Sequence, residues 1–400
     1  MNQSLALLGR QPALGLAELE SLYGSSVLHP VGRQAVLIDI APNDVTFNRL
    51  GGTIKLAKVL TRLETTDWRK VVQHIVRTLP EHLGYIPEGK IRLGLSVDGL
   101  QVSHKDLQRS GLEIKKIIKQ AGRSVRLVPN TDHILNSAQT LHNQLTGPTG
   151  LEFLIVRDRE STLLTQVTHV QDITAYAARD QQRPKRDARV GMLPPKLAQI
   201  IVNLATGGLK TEDRGPNMNS VTVLDPFCGT GVILQEALLM GYSAYGSDLE
   251  PRMIEYTNEN LRWLEETRDI HVDGATEVAD ATNHNWREIP FGAVAGETYL
   301  GRPFSSEPDP ATLQQVMSDV HVIHKKFLQN LATQTKPGFR LCLAVPAWMT
   351  RGGVKHLKTL DSLEELGYNR LSFVHADNQD LLYYRKDQIV ARELLVLTRK

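Results

Sequence analysis

The heptapeptide Asp225-Pro226-Phe227-Cys228-Gly229-Thr230-Gly231 restricts what this chain can fold into more than any other stretch. Before it runs an apolar segment, residues 221–224, with the length and composition of a buried strand. After it, residues 232–240 have the spacing of a helix that stops before Gly241. Strand, glycine turn and helix together open a ligand-binding α/β unit, because glycine lets backbone approach a ligand and a helix start offers unpaired N–H groups. The turn does not fit a dinucleotide: a Gly-x-Gly-x-x-Gly pattern beginning at Gly229 needs a small residue where Leu234 stands. A carboxylate four places before the first glycine instead suits a ligand with a cationic amino-acid end, and S-adenosylmethionine carries both an ammonium and a sulfonium. Asp248, 17 residues past Gly231, closes a second expected strand over 243–247 and is placed to hold ribose hydroxyls. A tight strand–helix turn without any ligand would use the same glycines.

At 400 residues, 41% of them apolar, the chain has material for two or three cored domains. Its net charge of +2 means that a nucleic-acid role must come from local basic patches. Cys228 and Cys342 stand far apart in apolar stretches, so neither a disulfide framework nor a cysteine metal site is expected, and a reducing cytoplasm fits. The start, Met1-Asn2-Gln3-Ser4, lacks a basic segment and a long apolar run, so no signal peptide is expected. No apolar run approaches the roughly 20 residues a bilayer requires, so no membrane partner is expected.

Residues 1–65 alternate strand and helix signals: strands over 5–8, 35–40 and 54–60, and Leu16, Leu19 and Leu22 at helical spacing between the first two. They carry no catalytic constellation. From Trp68 a helix presents Val71, Val72, Ile75, Val76 and Leu79, followed by a strand over 91–97. The next helix places Ile114, Ile117, Ile118 and Ala121 on one face, with Lys115, Lys116, Lys119 and Arg123 on the remainder. Between residues 101 and 127 seven Lys or Arg stand against two acids, a positive face suited to phosphate and equally compatible with simple solvation. Strands are expected over 126–128, 152–156 and 162–166.

Residues 176–189 read as a charged linker with five basic residues, including Arg183, Lys185, Arg186 and Arg189. Pro194-Pro195 then starts a helix to about Leu204, and residues 206–220 form a surface loop before the central strand. Beyond the glycine turn the pattern continues with strands at 243–247, 270–273, 292–295, 340–345, 371–375 and 392–398 and helices at 251–266 and 310–333. The final pair of strands suggests an antiparallel hairpin at the sheet edge. Asp280, in Ala279-Asp280-Ala281-Thr282, is placed to accept from an adenine amino group.

Arg179-Asp180, Arg183-Pro184, Met192 to Lys196, Asn203-Leu204, Asp225 to Gly229 and Gly246-Ser247-Asp248 occur in an order that resembles the tRNA guanosine N2-methyltransferase family, class I S-adenosylmethionine-dependent enzymes with an RNA-binding THUMP domain. The resemblance is strong over 170–250 and loose over the N-terminal half. It implies a ferredoxin-like domain over 1–65, a THUMP domain over 66–172 and a Rossmann-like methyltransferase domain with a seven-stranded sheet over 173–400. It implies a cofactor site of Asp225, Pro226, Phe227, Cys228, Gly229, Gly231, Asp248, Leu249, Asp280 and Ala281. For tRNA it implies contacts from Lys115, Lys116, Lys119, Arg123, Arg183, Lys185 and Arg186. Some relatives need a small partner protein, and either a monomer or a homodimer is compatible.

One departure matters: where the family has Asp-Pro-Pro-Tyr-Gly, this chain has Glu297-Thr298-Tyr299-Leu300-Gly301. An exocyclic purine amine is a poor nucleophile, and a carboxylate that accepts its hydrogen bond directs its lone pair toward the methyl donor. Glu297 is assigned that part and Tyr299 the stacking of a flipped base. Two other readings stay open: an RNA-binding protein whose fold has lost transfer, and an amino-methyltransferase acting on other RNA or on DNA.

Overall fold

The computed structural model describes every residue except 1–2, 188–191, 208, 210–220, 269, 271, 305 and 387. Arg189 and nearly all of the expected loop over 206–220 therefore lie outside the described residues. The chain divides into two compact units. The first comprises Met1–Pro12, Gly24–Asn48 and Thr53–Ala175; the second comprises Ala13–Tyr23, Arg49–Gly52 and Tyr176–Lys400.

The first unit is built on one eight-stranded sheet. Its strands are β1 (Ser4–Leu8), β2 (Leu28–Val31), β3 (Ala35–Ile38), β4 (Thr53–Leu63), β5 (Ile91–Asp98), β6 (Val125–Leu127), β7 (Gly150–Asp158) and β8 (Ser161–Val170), in the order β2-β3-β1-β4-β8-β7-β5-β6. The expected division at residue 65 does not separate two sheets, because β4 pairs along its length with β8. Helix α1 (Pro12–Tyr23), predicted inside the first segment, supplies its residues from Ala13 onward to the second unit. The reason is Glu18, fully buried, whose carboxylate accepts the N–H groups of Gly51 (2.9 Å) and Gly52 (2.8 Å) and the side-chain amide of Asn203 (2.7 Å).

Helices α2 (Trp68–His82) and α3 (His104–Gln120) bury Val71, Ile75 and Leu79, and Leu107, Ile114 and Ile118, against Leu93, Leu95, Phe153 and Ile155 of the sheet. The buried stripe of α3 runs toward its start, through Ser110 and Gly111. Ile117 is only half-buried, and Ala121, expected in the core, is the exposed C-cap. An enclosed ion pair joins Lys55 of β4 to Glu152 of β7, 2.5 Å apart, and the carboxylate also takes hydroxyl donors from Ser96 of β5 (2.7 Å) and Thr140 (2.8 Å) of α4 (Ser137–His142).

The second unit follows α5 (Ile173–Gln181) and α6 (Pro195–Thr206). Its elements are β9 (Thr222–Asp225), α7 (Val232–Leu239), β10 (Ser243–Asp248), α8 (Pro251–Arg268), β11 (Gly274–Val278), β12 (Phe291–Glu297), α9 (Pro310–Ala332), β13 (Arg340–Thr350), β14 (Gly353–Lys355), β15 (Tyr368–Arg370), β16 (Leu382–Tyr383) and β17 (Val390–Arg399). Seven strands form the main path β11-β10-β9-β12-β13-β17-β15; β14 pairs with β13 and β16 with β17. The strands from β11 to β13 are parallel, and β17 runs antiparallel to β13 and to β15.

Side chains alternate between two cores, as the period of a strand requires. Val223, Ala293, Ala295, Cys342, Ala344, Leu394 and Val396 face a layer containing α1, α6, α7 and α8. Leu224, Val294, Leu341, Leu343, Val345, Leu395 and Leu397 face α9. Covered on both faces, these strands read as continuous apolar runs. Two expected strands shift. The one at 270–273 forms at Gly274–Val278, an exposed edge with no apolar pattern to mark it. The one at 371–375 forms at Tyr368–Arg370, because the N–H groups of Val374 and His375 donate to Glu20 (2.7 and 3.0 Å) instead of to a ladder.

The expected linker over 176–187 is packed onto the second unit. Arg179 donates to Glu236 of α7 (2.7 and 3.3 Å), Lys185 exchanges backbone bonds with Asn260 of α8 (2.9 and 3.0 Å), and Asp187 accepts from Arg252 (3.1 Å).

Candidate active site

The sheet reverses direction of growth at β9: the chain adds β10 and β11 on one side, then returns to place β12 on the other. Ligands of open α/β sheets bind beyond the carboxyl ends of the strands at such a point. Three acids are the last residues of the strands that meet there, Asp225 of β9, Asp248 of β10 and Glu297 of β12.

The glycine turn is shaped by its neighbours. Gly229 and Gly231 hold positive φ angles of 52° and 80°, and a Cβ on Gly231 would lie 2.8 Å from Thr257 Cγ2. Thr257 donates its hydroxyl to the Gly229 carbonyl (2.8 Å), and Asn260 donates to that of Thr230 (2.8 Å), so α8 clamps the turn from outside. Asp248 accepts the N–H of Gly229 at 2.9 Å and that of Glu250 at 3.0 Å. Asp225 is buried and accepts the Phe227 N–H (3.1 Å). Burial, followed by the nearness of Asp248 and Glu297, pushes its carboxyl well above the usual carboxylate range, and no ion pair to Asp225 is present among the described residues. Burial also raises the carboxyl of Asp248 and the thiol of Cys228. A buried carboxyl of this kind is stabilised either by taking up a proton or by a cation brought against it.

Around it, Phe227 packs edge-on against Phe327, 5.0 Å between ring centres, with Pro226 between Phe227 and Asp225 in the chain. Leu249 is 64% exposed directly after Asp248, an uncovered apolar side chain beside the strand ends. Ala281 is buried, and Asp280 uses Oδ1 to accept the Thr282 N–H (2.9 Å) and hydroxyl (2.8 Å), which fixes the turn after β11.

The loop after β12, which lacks the two prolines, is tied down at Thr298. Thr298, buried, donates its N–H to the Ala344 carbonyl (3.0 Å), and its hydroxyl meets His324 Nε2 at 2.5 Å. Burial pulls the His324 imidazole down to about 4, so it is neutral near pH 7; with Nδ1–H donating to Val320 O (2.8 Å), Nε2 accepts from Thr298. Tyr299 is 47% exposed. Glu297 is not a lone acceptor: its Oε1 accepts from Nε of Arg392, itself buried on β17. Sequence reading missed Arg392, and the signal was a charged pair, Arg392-Glu393, inside an otherwise apolar strand.

Of the seven expected RNA contacts, Arg123 and Lys185 are paired within the protein and Arg183 is buried. Arg123 donates to the carbonyls of Leu83 (3.3 Å), Ile86 (3.0 Å), Pro87 (2.5 Å) and Gly89 (3.5 Å), closing the loop after α2. Arg183 is buried, with Asp180 Oδ1 3.9 Å away. Lys185 pairs with Glu259 at 3.2 Å over the ring of Tyr256. Lys116, Lys119 and Arg186 are exposed and Lys115 half-exposed.

No family model matches the sequence. The tRNA (guanine(10)-N2)-dimethyltransferase of Methanothermobacter thermautotrophicus is 32% identical over 171 residues, 40% of this chain and 40% of that protein. The protein of the same name from Pyrococcus abyssi is 28% identical over 176 residues, 44% of this chain and 43% of that protein. The matches thus span less than half the length of these curated relatives. TrmN from Thermus thermophilus superposes with a TM-score of 0.53 at 16% identity, covering 100% of this chain and 99% of that one. Over the matched residues the chain is similar to proteins named tRNA (guanine(10)-N2)-dimethyltransferase, and its fold is similar to that of TrmN from Thermus thermophilus.

Proposed function

We propose that this chain is a tRNA methyltransferase that moves a methyl group from S-adenosylmethionine to the exocyclic N2 of a guanosine, acting in the cytoplasm. The observation that carries the reading is the trio Asp225, Asp248 and Glu297 at the ends of adjacent parallel strands, with Asp225 buried and lacking an ion-pair partner among the described residues. Such a donor set fits the ammonium and sulfonium of S-adenosylmethionine, which when bound supplies a methyl carbon ready for attack. Asp225 and the backbone of Gly229 to Gly231 would hold its amino-acid end, Asp248 the ribose, and Leu249, Asp280 and Ala281 the adenine.

Glu297 accepts a hydrogen bond from the guanine amino group through Oε2 and receives the proton that the nitrogen loses as its new bond forms. Tyr299 stacks on the base once it has left the helix. Residues 66–172 act as the THUMP module, with Lys115, Lys116 and Lys119 on phosphate, and Arg186 beside the active site. Among the described residues no helix is long and apolar enough to cross a membrane.

One observation favours a second reading, an RNA-binding protein with an idle methyltransferase fold: the Glu297 carboxylate is already paired. Titration calorimetry with S-adenosylmethionine and a labelled-methyl transfer assay on unmodified tRNA separate the two. Wild type is expected to bind and transfer, and Glu297→Ala to bind and lose about 10²-fold in turnover. Unchanged turnover in Glu297→Ala refutes the role given to Glu297; binding without transfer by wild type supports the second reading.

A further inference from the structure

We propose that Arg392 is the positioning residue of this active site: from strand β17 it holds Oε1 of Glu297 and thereby leaves Oε2 directed at the incoming amino group. The proposal rests on the methyl-transfer reading above and adds a residue that the glycine turn and the altered loop do not include.

Three features lead to it. The first is reach: β13 separates the two strands, with Glu297 opposite Ala344 on one side and Arg392 opposite Pro346 on the other, so the guanidinium crosses a whole strand to arrive at the carboxylate. The second is what surrounds the acid. Among the described residues, Arg392 from β17 and Asp225 from β9 are the charged groups that couple to Glu297; Asp248 of β10 couples in turn to Asp225, and His324 of α9 is engaged by Thr298. The acids repel one another, and Arg392 is the cation among them. The third is the loop itself. A longer acid than aspartate has one more rotatable bond, and the prolines that would stiffen the following residues are absent. Thr298 fixes the backbone through Ala344 and His324, and Arg392 fixes the remaining freedom, which lies in the Glu297 side chain.

The chemistry gives the pair a purpose. Burial pushes the Glu297 carboxyl above its usual range, toward a protonated form that would donate to the amino group instead of accepting from it, and Arg392 limits that rise without cancelling it. In transfer the N2–C bond forms as the C–S bond breaks, the bonding pair stays on sulfur, and one amino proton passes to Glu297 and on to water. Glu297 must therefore start ionised, with one oxygen free.

Arg392→Met, Arg392→Lys and Glu297→Gln test this in the full chain, with S-adenosylmethionine and unmodified tRNA as substrates. Arg392→Met is expected to lower kcat by about tenfold or more while the Kd for S-adenosylmethionine changes by less than about threefold. The acidic limb of its kcat–pH profile is expected about one unit or more higher, and Arg392→Lys should restore the limb. A readout free of turnover comes from carbon-13 carboxyl NMR, with the Glu297 signal assigned by its loss in Glu297→Gln: it should titrate higher in Arg392→Met than in wild type. If neither the limb nor the carboxyl titration moves, Arg392 is a structural ion pair and the proposal falls. A wild type without turnover overturns the methyl-transfer reading instead, and the carboxyl signal still decides the hold of Arg392 on Glu297. Should Arg392→Met fail to fold, Arg392→Lys titrating as wild type, against a higher titration in Arg392→Gln, carries the same decision.

Discussion

Glu18 should make the second unit lose stability as pH rises from about 4.5 to about 7. The side chain is fully buried, and burial pushes its carboxyl from 4.5 up to about 7 against the opposing bonds from Asn203, Gly51 and Gly52 and the charge of Arg49. The folded pKa is raised, so the contribution is complete below the unfolded value of 4.5 and is lost as pH climbs to about 7. A shift of about 2.5 units at 1.36 kcal/mol each gives a loss of about 3 kcal/mol, with a slope of about 1.4 kcal/mol per pH unit through the middle. Glu18→Gln removes the titration. It retains one acceptor oxygen for the N–H groups of Gly51 and Gly52, a cost of about 1–3 kcal/mol that does not vary with pH. Urea unfolding from pH 5 to pH 8, followed by tryptophan fluorescence, reads mainly the second unit, which holds Trp263, Trp286 and Trp348. Wild type should fall relative to Glu18→Gln by about 2.5 kcal/mol across that range. A difference constant to within about 0.5 kcal/mol would show that Glu18 is ionised in the folded protein throughout.

Gly231→Ala should cost about 1–3 kcal/mol and weaken S-adenosylmethionine binding in calorimetry, because the 80° φ and the Thr257 contact at 2.8 Å leave no room for a Cβ. Lys55→Met should destabilise the first unit by about 3–5 kcal/mol in denaturant, since Glu152 is left buried and unpaired, whereas Lys55→Met with Glu152→Leu should recover most of the loss. Arg123→Ala should raise amide exchange over residues 83–89, whose carbonyls it holds, and change tRNA affinity less than Lys116→Ala with Lys119→Ala, as filter binding at fixed salt would measure.

The parallel strands of the second unit were legible because burial on both faces writes apolar runs into the sequence, and the acids that end β9, β10 and β12 follow directly from those runs. The edges were not: β11 exposes most of its residues, and the segment after β15 satisfies its backbone through Glu20. Long-range pairing was equally hidden. Arg392 meets Glu297 across 95 residues and Glu18 meets Asn203 across 185, and no local spacing encodes either. The charged stretch around Arg183 read as a solvated linker because its charges imply exposure; the fold instead buries Arg183 and spends Arg179 on Glu236. Arg123 shows the same effect in the first unit, where a residue expected on a basic helix lies just past its end and closes a loop.

Nucleoside mass spectrometry of unmodified tRNA incubated with the pure protein and S-adenosylmethionine bearing a deuterated methyl group reads the proposed chemistry most directly. Deuterated methyl should appear on the N2 of guanosine, and its initial rate of appearance should fall about 10²-fold with Glu297→Ala. Label on another nucleoside, or none while calorimetry shows the donor bound, would contradict the assignment.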